Sequence, residues 1–236
     1  MHNLGFTRSS SQPDHLLLTA DTFVRTPLPG MRQATAIVHV SPERGAKFTQ
    51  YTAEFEDGGC LGPSACQRFI YVLAGQLRVG ESTLSADHYG YLPAHAGIPV
   101  TALSAARAAV IEKPYCALDG IPAPAHFFAD EGALESQALG GDSDLQVRVL
   151  LPGQPAFDFA VNTMTYQPGA ALSMVEIHVM EHGCLMLSGG GIYRLGDRWY
   201  PVTAGDFIWM APYCPQWFGA LGKVPAKYLI YKDWNR

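Results

Sequence analysis

The residues best suited to chemistry lie in one short stretch, Glu176-Ile-His178-Val-Met-Glu-His182, and in a later glutamine, Gln216. Val175, Ile177 and Val179 are β-branched and alternate with Glu176 and His178. Successive side chains on a strand point to opposite faces, so a strand here puts Glu176 and His178 on one face. His182 follows after a bend, and Gly189, Gly190 and Gly191 mark a second turn. A carboxylate, two imidazoles and an amide oxygen converging inside a small β-barrel would make a metal site. With no thiolate, that set suits an octahedral ion such as Mn²⁺ or Fe²⁺, with two positions left for substrate or water. Zinc prefers a tetrahedral set, although its higher affinity would favour it in a purified sample. Glu181, at the bend, reads as a solvent-facing or supporting residue and not as a ligand.

A second group lies at the end of the chain. Tyr228, Ile230 and Lys232 alternate and therefore share a face. If that face is inward, it brings a phenol and an ammonium into an apolar barrel. A buried, unpaired lysine is costly and needs an anionic partner such as a substrate carboxylate. The alternative is a lysine that snorkels out at the strand end. The nearby aromatics Trp199, Tyr200, Phe207, Trp209, Tyr213, Trp217 and Phe218 read as core or interface.

The elements that must position these groups read as all-β. A chain of 236 residues has room for one large β-domain or two of ordinary size. It is 48% hydrophobic and 16% charged, enough apolar material for a substantial core. Its 24 glycines and 17 prolines supply the turns that many short strands require. A net charge of −5 without a basic run argues against nucleic acid or an anionic membrane as partner. No window approaches the roughly 20 apolar residues of a membrane span. The stretch Met1–Arg8 lacks a charged start followed by an apolar run, so no secretory signal is expected. The five cysteines (Cys60, Cys66, Cys116, Cys184, Cys214) form no C-x-x-C pair, so buried thiols and a cytoplasmic protein are expected.

Residues 1–30 read as an arm in which Leu16–Leu18 could pair as a short strand. Strand-like segments follow at Thr35–Val40, Phe48–Phe55, Phe69–Leu73, Gln76–Val79, Tyr89–Leu92 and Ala108–Glu112, separated by Gly- or Pro-rich turns. Residues 31–115 are thus expected to form one domain and 148–236 a second. The stretch 116–147 between them reads as a connection, with a short helical turn at Asp130–Ser136 and with Phe127 and Phe128 seeking burial. An internal repeat supports two domains: Phe69–Gly75 parallels Gly183–Gly189, Tyr91–Pro93 falls near Trp209–Pro212, and Val110–Lys113 parallels Leu229–Lys232. In this register Gly62, Ser64 and Arg68 take the places of Glu176, His178 and His182, so the first domain lacks the ligand set. His88 and His95 read as ordinary loop residues.

The spacing Glu176-x-His178-x(3)-His182-x(6)-Gly189 resembles the first cupin motif, usually H-x-H-x(3,4)-E-x(6)-G, with the carboxylate and one histidine exchanged. Gly205-Asp206, Pro212 and Gln216 resemble the second motif, with the proline one place late and glutamine in place of histidine. The Glu/His/His/Gln set is similar to that of the bicupin (S)-ureidoglycine aminohydrolases of purine (allantoin) degradation. Similarity extends through Glu176–Gly183, Leu187–Gly189, Gly205–Met210 and Tyr231–Arg236, and more weakly through Leu17–Thr19 and Pro27–Gly30.

This resemblance implies two double-stranded β-helix (jelly-roll) barrels in one chain, a bicupin. It implies one Mn²⁺ per chain in the C-terminal cupin, held by Glu176, His178, His182 and Gln216. Lys232, Tyr228 and Tyr193 correspond to residues that contact substrate, and Glu176 is the candidate to move a proton. The implied reaction is hydrolysis of a linear amidine-like C–N bond: (S)-ureidoglycine to (S)-ureidoglycolate and ammonia. Two other classes remain open on the residues alone, a Mn- or Fe-dependent cupin dioxygenase and a non-enzymatic bicupin that binds a small acid. The expected partners are a small ureido acid and, through sheet edges and exchanged arms, further copies in a homo-oligomer.

Overall fold

β-Branched and aromatic residues in short runs, punctuated by glycine and proline, fold into strands throughout. A computed structural model describes residues 5–233; Met1–Leu4 and Trp234–Arg236, which carry the end of the similarity at Tyr231–Arg236, lie outside the described residues. Among the described residues the only helices are single 3-10 turns, and none is long and apolar enough to cross a membrane.

In chain order the strands are β1 (Ser10–Ser11), β2 (His15–Leu18), β3 (Arg25–Thr26), β4 (Met31–Val40), β5 (Thr49–Leu61), β6 (Gln67–Ala74), β7 (Gln76–Val79), β8 (Ser82–Ser85), β9 (His88–Leu92), β10 (Val100–Ala102), β11 (Ala106–Lys113) and β12 (Phe127–Asp130). They continue as β13 (Gln137–Leu139), β14 (Asp142–Val149), β15 (Ala160–Tyr166), β16 (His182–Ser188), β17 (Gly190–Leu195), β18 (Arg198–Thr203), β19 (Phe207–Met210), β20 (Gln216–Ala220) and β21 (Ala226–Lys232).

These strands fall into two compact units with interleaved segments. Among the described residues, a C-terminal unit holds 5–23, 136–149 and 159–233, and an N-terminal unit holds 24–135 and 150–158. The C-terminal unit has an eight-stranded sheet, β1-β2-β19-β16-β21-β15-β14-β13, and a three-stranded one, β18-β17-β20. In the N-terminal unit the order β12-β9-β6-β11-β5-β10-β7-β8 repeats this plan, with β4 on the other side of β5. Thus β9-β6-β11-β5 matches β19-β16-β21-β15, and β10-β7-β8 matches β20-β17-β18. Each unit has its own apolar core, around Leu17, Met186, Ile208, Phe218 and Tyr228 in one and Tyr51, Phe55, Val72 and Leu77 in the other.

The repeated glycines have one physical reason. Gly75 and Gly189 both end the strand before a hairpin with positive φ, +76° and +62°. A Cβ on Gly75 would lie 2.3 Å from the Ala105 carbonyl oxygen, and one on Gly189 would lie 2.5 Å from that of Pro225. The later part of the repeat is offset by one residue. Arg68 stands opposite Leu92 and Glu112, as His182 stands opposite Met210 and Lys232. Glu112, and not Lys113, therefore matches Lys232. A one-residue slip puts Lys113 on the other face, where its ammonium pairs with Asp158 at 2.8 Å.

Two stretches depart from the sequence reading. Residues 175–179 are not a strand: after β15 a turn at Gln167–Gly169 breaks the chain, and only isolated bridges at Ala171–Gly219 and Glu176–Gln216 remain. The matching strand β5 instead runs unbroken and pairs with β10. The stretch 116–147 contains β12, β13 and most of β14, with one 3-10 turn at Glu131–Ala133. The Asp130 carboxylate accepts the Gly132 N–H at 2.8 Å and closes that turn. Phe127 packs against Tyr89, Tyr91 and Phe157.

The first strands belong to the C-terminal unit. β2 adds to the edge of β19, with Leu17 opposite Ile208 and fully buried. Arg8 anchors the arm by donating to both oxygens of the buried Asp206, at 2.7 and 3.0 Å. Replacing Leu17 by alanine is expected to cost about 2–5 kcal/mol, read as a lower urea midpoint at unchanged slope.

His39, buried on β4 with Nε2 2.8 Å from the Thr52 hydroxyl, is held neutral: burial pushes its pKa down to about 3. An unfolded histidine takes up its proton near pH 6.5. Between these values only the unfolded chain gains the proton, so this contribution to stability is complete above pH 6.5 and shrinks as pH falls toward 3. His39→Gln removes the effect. Relative to the parent, the variant is expected to gain about 2 kcal/mol between pH 7 and pH 5, measured by urea unfolding at each pH.

Candidate metal centre and substrate pocket

The C-terminal unit opens on a cavity of about 320 Å³ that contains every residue singled out from the sequence: Glu176, His178, His182, Gln216, Tyr193, Tyr228 and Lys232. They come from five places in the chain. β16 supplies His182, β17 Tyr193, β20 Gln216 and β21 both Tyr228 and Lys232, while the irregular segment before β16 supplies Glu176 and His178.

Glu176 and Gln216 are set side by side by a reciprocal backbone pair. The Glu176 N–H donates to the Gln216 carbonyl at 2.8 Å, and the Gln216 N–H donates back at 2.9 Å. The Tyr213 N–H, donating to the His178 carbonyl at 2.6 Å, fixes the segment two residues on. The segment keeps the alternation of an extended chain without a sheet to hold it. Ile177 and Val179 remain exposed while Glu176 and His178 turn into the pocket.

Each donor is oriented by a neighbour. His182 Nδ1 is 2.7 Å from the Glu181 carbonyl oxygen, which can only accept, so the proton is on Nδ1 and Nε2 keeps its lone pair. Burial pushes the His182 pKa down to about 3, and the Lys232 and His178 charges act in the same direction. Its imidazole is therefore neutral at physiological pH, the form that binds a metal. The Tyr193 hydroxyl donates to Gln216 Oε1 at 3.1 Å, leaving that oxygen a second lone pair. His178 Nε2 lies 3.1 Å from Glu176 Oε2, and its ring centroid is 5.2 Å from that of His182. Two imidazoles, a carboxylate and an amide oxygen thus fit a divalent ion of intermediate hardness.

Glu181 is not solvent-facing. Its side chain is buried and accepts the Trp209 indole N–H at 3.0 Å. A tighter trio of possible ligands lies elsewhere in this unit, where Asp14, His15 and Cys214 come within 4.8 Å of one another. Both His15 nitrogens are already engaged there, with Asp14 and with the Tyr200 hydroxyl, each at 2.8 Å. We read that trio as a hydrogen-bonded clasp on the arm.

Deeper in the pocket, the Tyr228 hydroxyl is 2.8 Å from that of Tyr166. Burial raises Tyr193 and Tyr228 well above the ordinary phenol value, so both stay protonated donors. Burial also lowers the Lys232 pKa, with the Cys184 thiol and Glu176 pulling the other way. The Lys232 ammonium makes no hydrogen bond or ion pair among the described residues.

The N-terminal unit shows the opposite filling. Arg68, in the place of His182, is buried and donates to Glu112 at 2.6 Å and to the Gly62 carbonyl at 2.9 Å. The cavity beside it measures about 10 Å³.

Residues 162–231 match the family model of the cupin domain. Over 98% of its length the chain is 40% identical to a probable (S)-ureidoglycine aminohydrolase of rice (Oryza sativa subsp. japonica), covering 77% of that protein. It is 37% identical to the (S)-ureidoglycine aminohydrolase of Arabidopsis thaliana, over 98% of this chain and 80% of that one. The chain belongs to the (S)-ureidoglycine aminohydrolase family. Among solved structures it is similar to protein Ylba of E. coli, with a TM-score of 0.86, 27% identity, and 98% and 95% of the two chains covered. The fold of this aminohydrolase family member is accordingly an all-β bicupin.

The sequence reading did not single out Asn162, Met164, Leu172 or the β13 residues Gln137–Leu139, all of which line the same pocket. The signal available for the first two was the period-2 alternation of β15.

Removing the hydroxyl that orients Gln216 tests the donor set. Tyr193→Phe is expected to weaken Mn²⁺ binding to metal-stripped protein about 10–100-fold, read by titration of free Mn²⁺ with electron paramagnetic resonance in the absence of substrate. His182→Ala is expected to lose binding altogether under the same conditions.

Proposed function

We propose that the protein hydrolyses (S)-ureidoglycine to (S)-ureidoglycolate and ammonia in allantoin catabolism, with Mn²⁺ held by Glu176, His178, His182 and Gln216. One observation carries the reading beyond family membership: a largely buried ammonium with no hydrogen-bond or ion-pair partner among the described residues, Lys232, shares a pocket with these four donors. An anionic ligand is what such a group requires. A small acid with a carboxylate satisfies it, and a neutral ligand does not.

When bound, the divalent ion would supply a Lewis acid that orients the acid's oxygen and nitrogen atoms. Lys232 pairs with the substrate carboxylate and holds the α-carbon in the pocket. Water adds its oxygen to that carbon as the bond to the amino nitrogen breaks. Glu176, whose carboxylate faces the pocket beside His178, carries a proton from the water toward the leaving amine, which departs as ammonia. The Tyr193 phenol keeps Gln216 in position. Apolar Leu172, Met164 and Ile230 exclude bulk water, so the ionic contacts act at reduced screening.

We further propose that only the C-terminal cupin, residues 148–236, is catalytic. The N-terminal cupin, 31–115, has the Arg68–Glu112 pair where the other unit has His182 and Lys232.

Ammonia release from freshly generated (S)-ureidoglycine tests the assignment. Metal-stripped protein is expected to match the spontaneous rate and to exceed it once Mn²⁺ is added. Lys232→Ala is expected to lower kcat/KM about 10–150-fold, the equivalent of losing a charged hydrogen bond of ~1.5–3 kcal/mol. Oxygen uptake without ammonia would instead establish the dioxygenase reading.

A further inference from the structure

Lys232 and the four donors account for the acid end and the reacting carbon of the substrate. The ureido end has both donors and an acceptor to satisfy, and the two phenols of the pocket, whose hydroxyl protons are engaged within the protein, can offer it acceptors alone. Tyr193 donates to Gln216, and the Tyr228 hydroxyl lies between Tyr166 and the Met164 sulfur, at 2.8 and 3.3 Å.

Asn162 is not engaged. Its side chain is 9% exposed and lines the pocket. Among the described residues it makes no side-chain hydrogen bond. A carboxamide on the cavity wall with its donors and acceptor unused by the described residues is available to a ligand.

Its place in the sheet is set by register. Asn162 on β15 stands opposite Ile230 on β21, and Ile230 stands opposite Cys184 on β16. Tyr228, Ile230 and Lys232 all line the pocket, so Asn162 lies level with the residue midway between the lysine and the phenol. Along the strand that level is about 7 Å from the Lys232–His182 level. This is comparable to the reach from the carboxylate of a small ureido acid to its far nitrogen.

We propose that Asn162 is the specificity-determining residue for the ureido group of the substrate, a reading that rests on the ureido-acid function above. A carboxamide offers one carbonyl acceptor and two N–H donors in a plane. The terminal CO–NH₂ of a ureido group offers the same set, and the two can pair head to tail through two hydrogen bonds. An acetyl group in the same place presents only the carbonyl and leaves the Asn162 oxygen unpaired. The pocket therefore selects ureido acids over acyl amino acids of the same shape.

Two inert acids isolate the effect: N-carbamoylglycine and N-acetylglycine differ only by NH₂ in place of CH₃. Calorimetric titration of the Mn²⁺-loaded protein is expected to show N-carbamoylglycine binding about 10-fold or more tightly. Asn162→Leu is expected to abolish that preference, weakening N-carbamoylglycine, which loses two hydrogen bonds, more than N-acetylglycine, which loses one. Should Asn162→Leu fail to fold, Asn162→Val, shorter and suited to a strand, carries the same comparison. In turnover, the variant is expected to show a raised KM for (S)-ureidoglycine with a smaller change in kcat.

A variant that keeps the parent's preference, or a parent without one, overturns the assignment of Asn162. Failure of the functional reading has a different signature, a parent protein that binds the acids but releases no ammonia from (S)-ureidoglycine.

Discussion

An ammonium facing a cavity with no counter-ion among the described residues is the constraint around which the C-terminal unit is built. Charge in a low-dielectric site is tolerated only when something balances it. Lys232 has burial working against its proton and Cys184 and Glu176 working for it. Its neighbours do not relieve it. His182, directly across the β16–β21 pair, is neutral, and its own burial is satisfied by the Glu181 carbonyl. The imbalance is what the proposed anionic ligand would correct. β21 also sits between β16 and β15, so the lysine backbone is held on both sides.

The N-terminal unit shows what the same architecture does when the charge is closed internally. The strand order is repeated, and the hairpin glycines Gly75 and Gly189 solve the same steric problem. At the level where one unit has His182 and Lys232, however, the other has Arg68 and Glu112. The guanidinium fills the space, pairs with the carboxylate and spends a further donor on the Gly62 carbonyl. The charges at this level are balanced within the unit. Function in this fold therefore depends on a few inward side chains at one level of the barrel, while the apolar rows beneath are common to both units.

How much of this was legible in the sequence follows from the range of the signals. The alternation of Tyr228, Ile230 and Lys232 is local, and a strand of period two puts them on one face whatever its neighbours. Glu176 and Gln216 are different. Their adjacency rests on a backbone pair between distant residues, and only the cupin resemblance brought Gln216 into view. The strand expected at 175–179 is absent because alternation reports an extended chain, not a paired one. The register of Lys113 could not be read, since a slip of one residue reverses the face and local sequence does not encode the partner. Asn162 escaped notice for a related reason. In Ala160–Tyr166 alternation groups Asn162 with Ala160, Met164 and Tyr166 against Val161, Thr163 and Thr165, but it does not say which of the two faces is inside. β2 was visible as a strand at Leu16–Leu18, but its partner β19 was not.

The anchors also bear on handedness. Lys232 comes from β21, the donor set converges from β16, β20 and the segment before β16, and Asn162 comes from β15. In the proposed complex they hold the carboxylate, the reacting nitrogen and the ureido group. These are three of the four substituents on the α-carbon, the fourth being hydrogen. Three fixed contacts that do not lie on a line admit one arrangement around a tetrahedral centre. The mirror image can satisfy two of them only by moving the third group away from its partner. If that group is the ureido end, Asn162 is left buried and unpaired. If it is the carboxylate, Lys232 is left without its anion, the costlier loss. Enantioselectivity then needs no dedicated steric wall, because it follows from placing an ammonium, a set of metal-ligand donors and a carboxamide on separate elements of one rigid barrel.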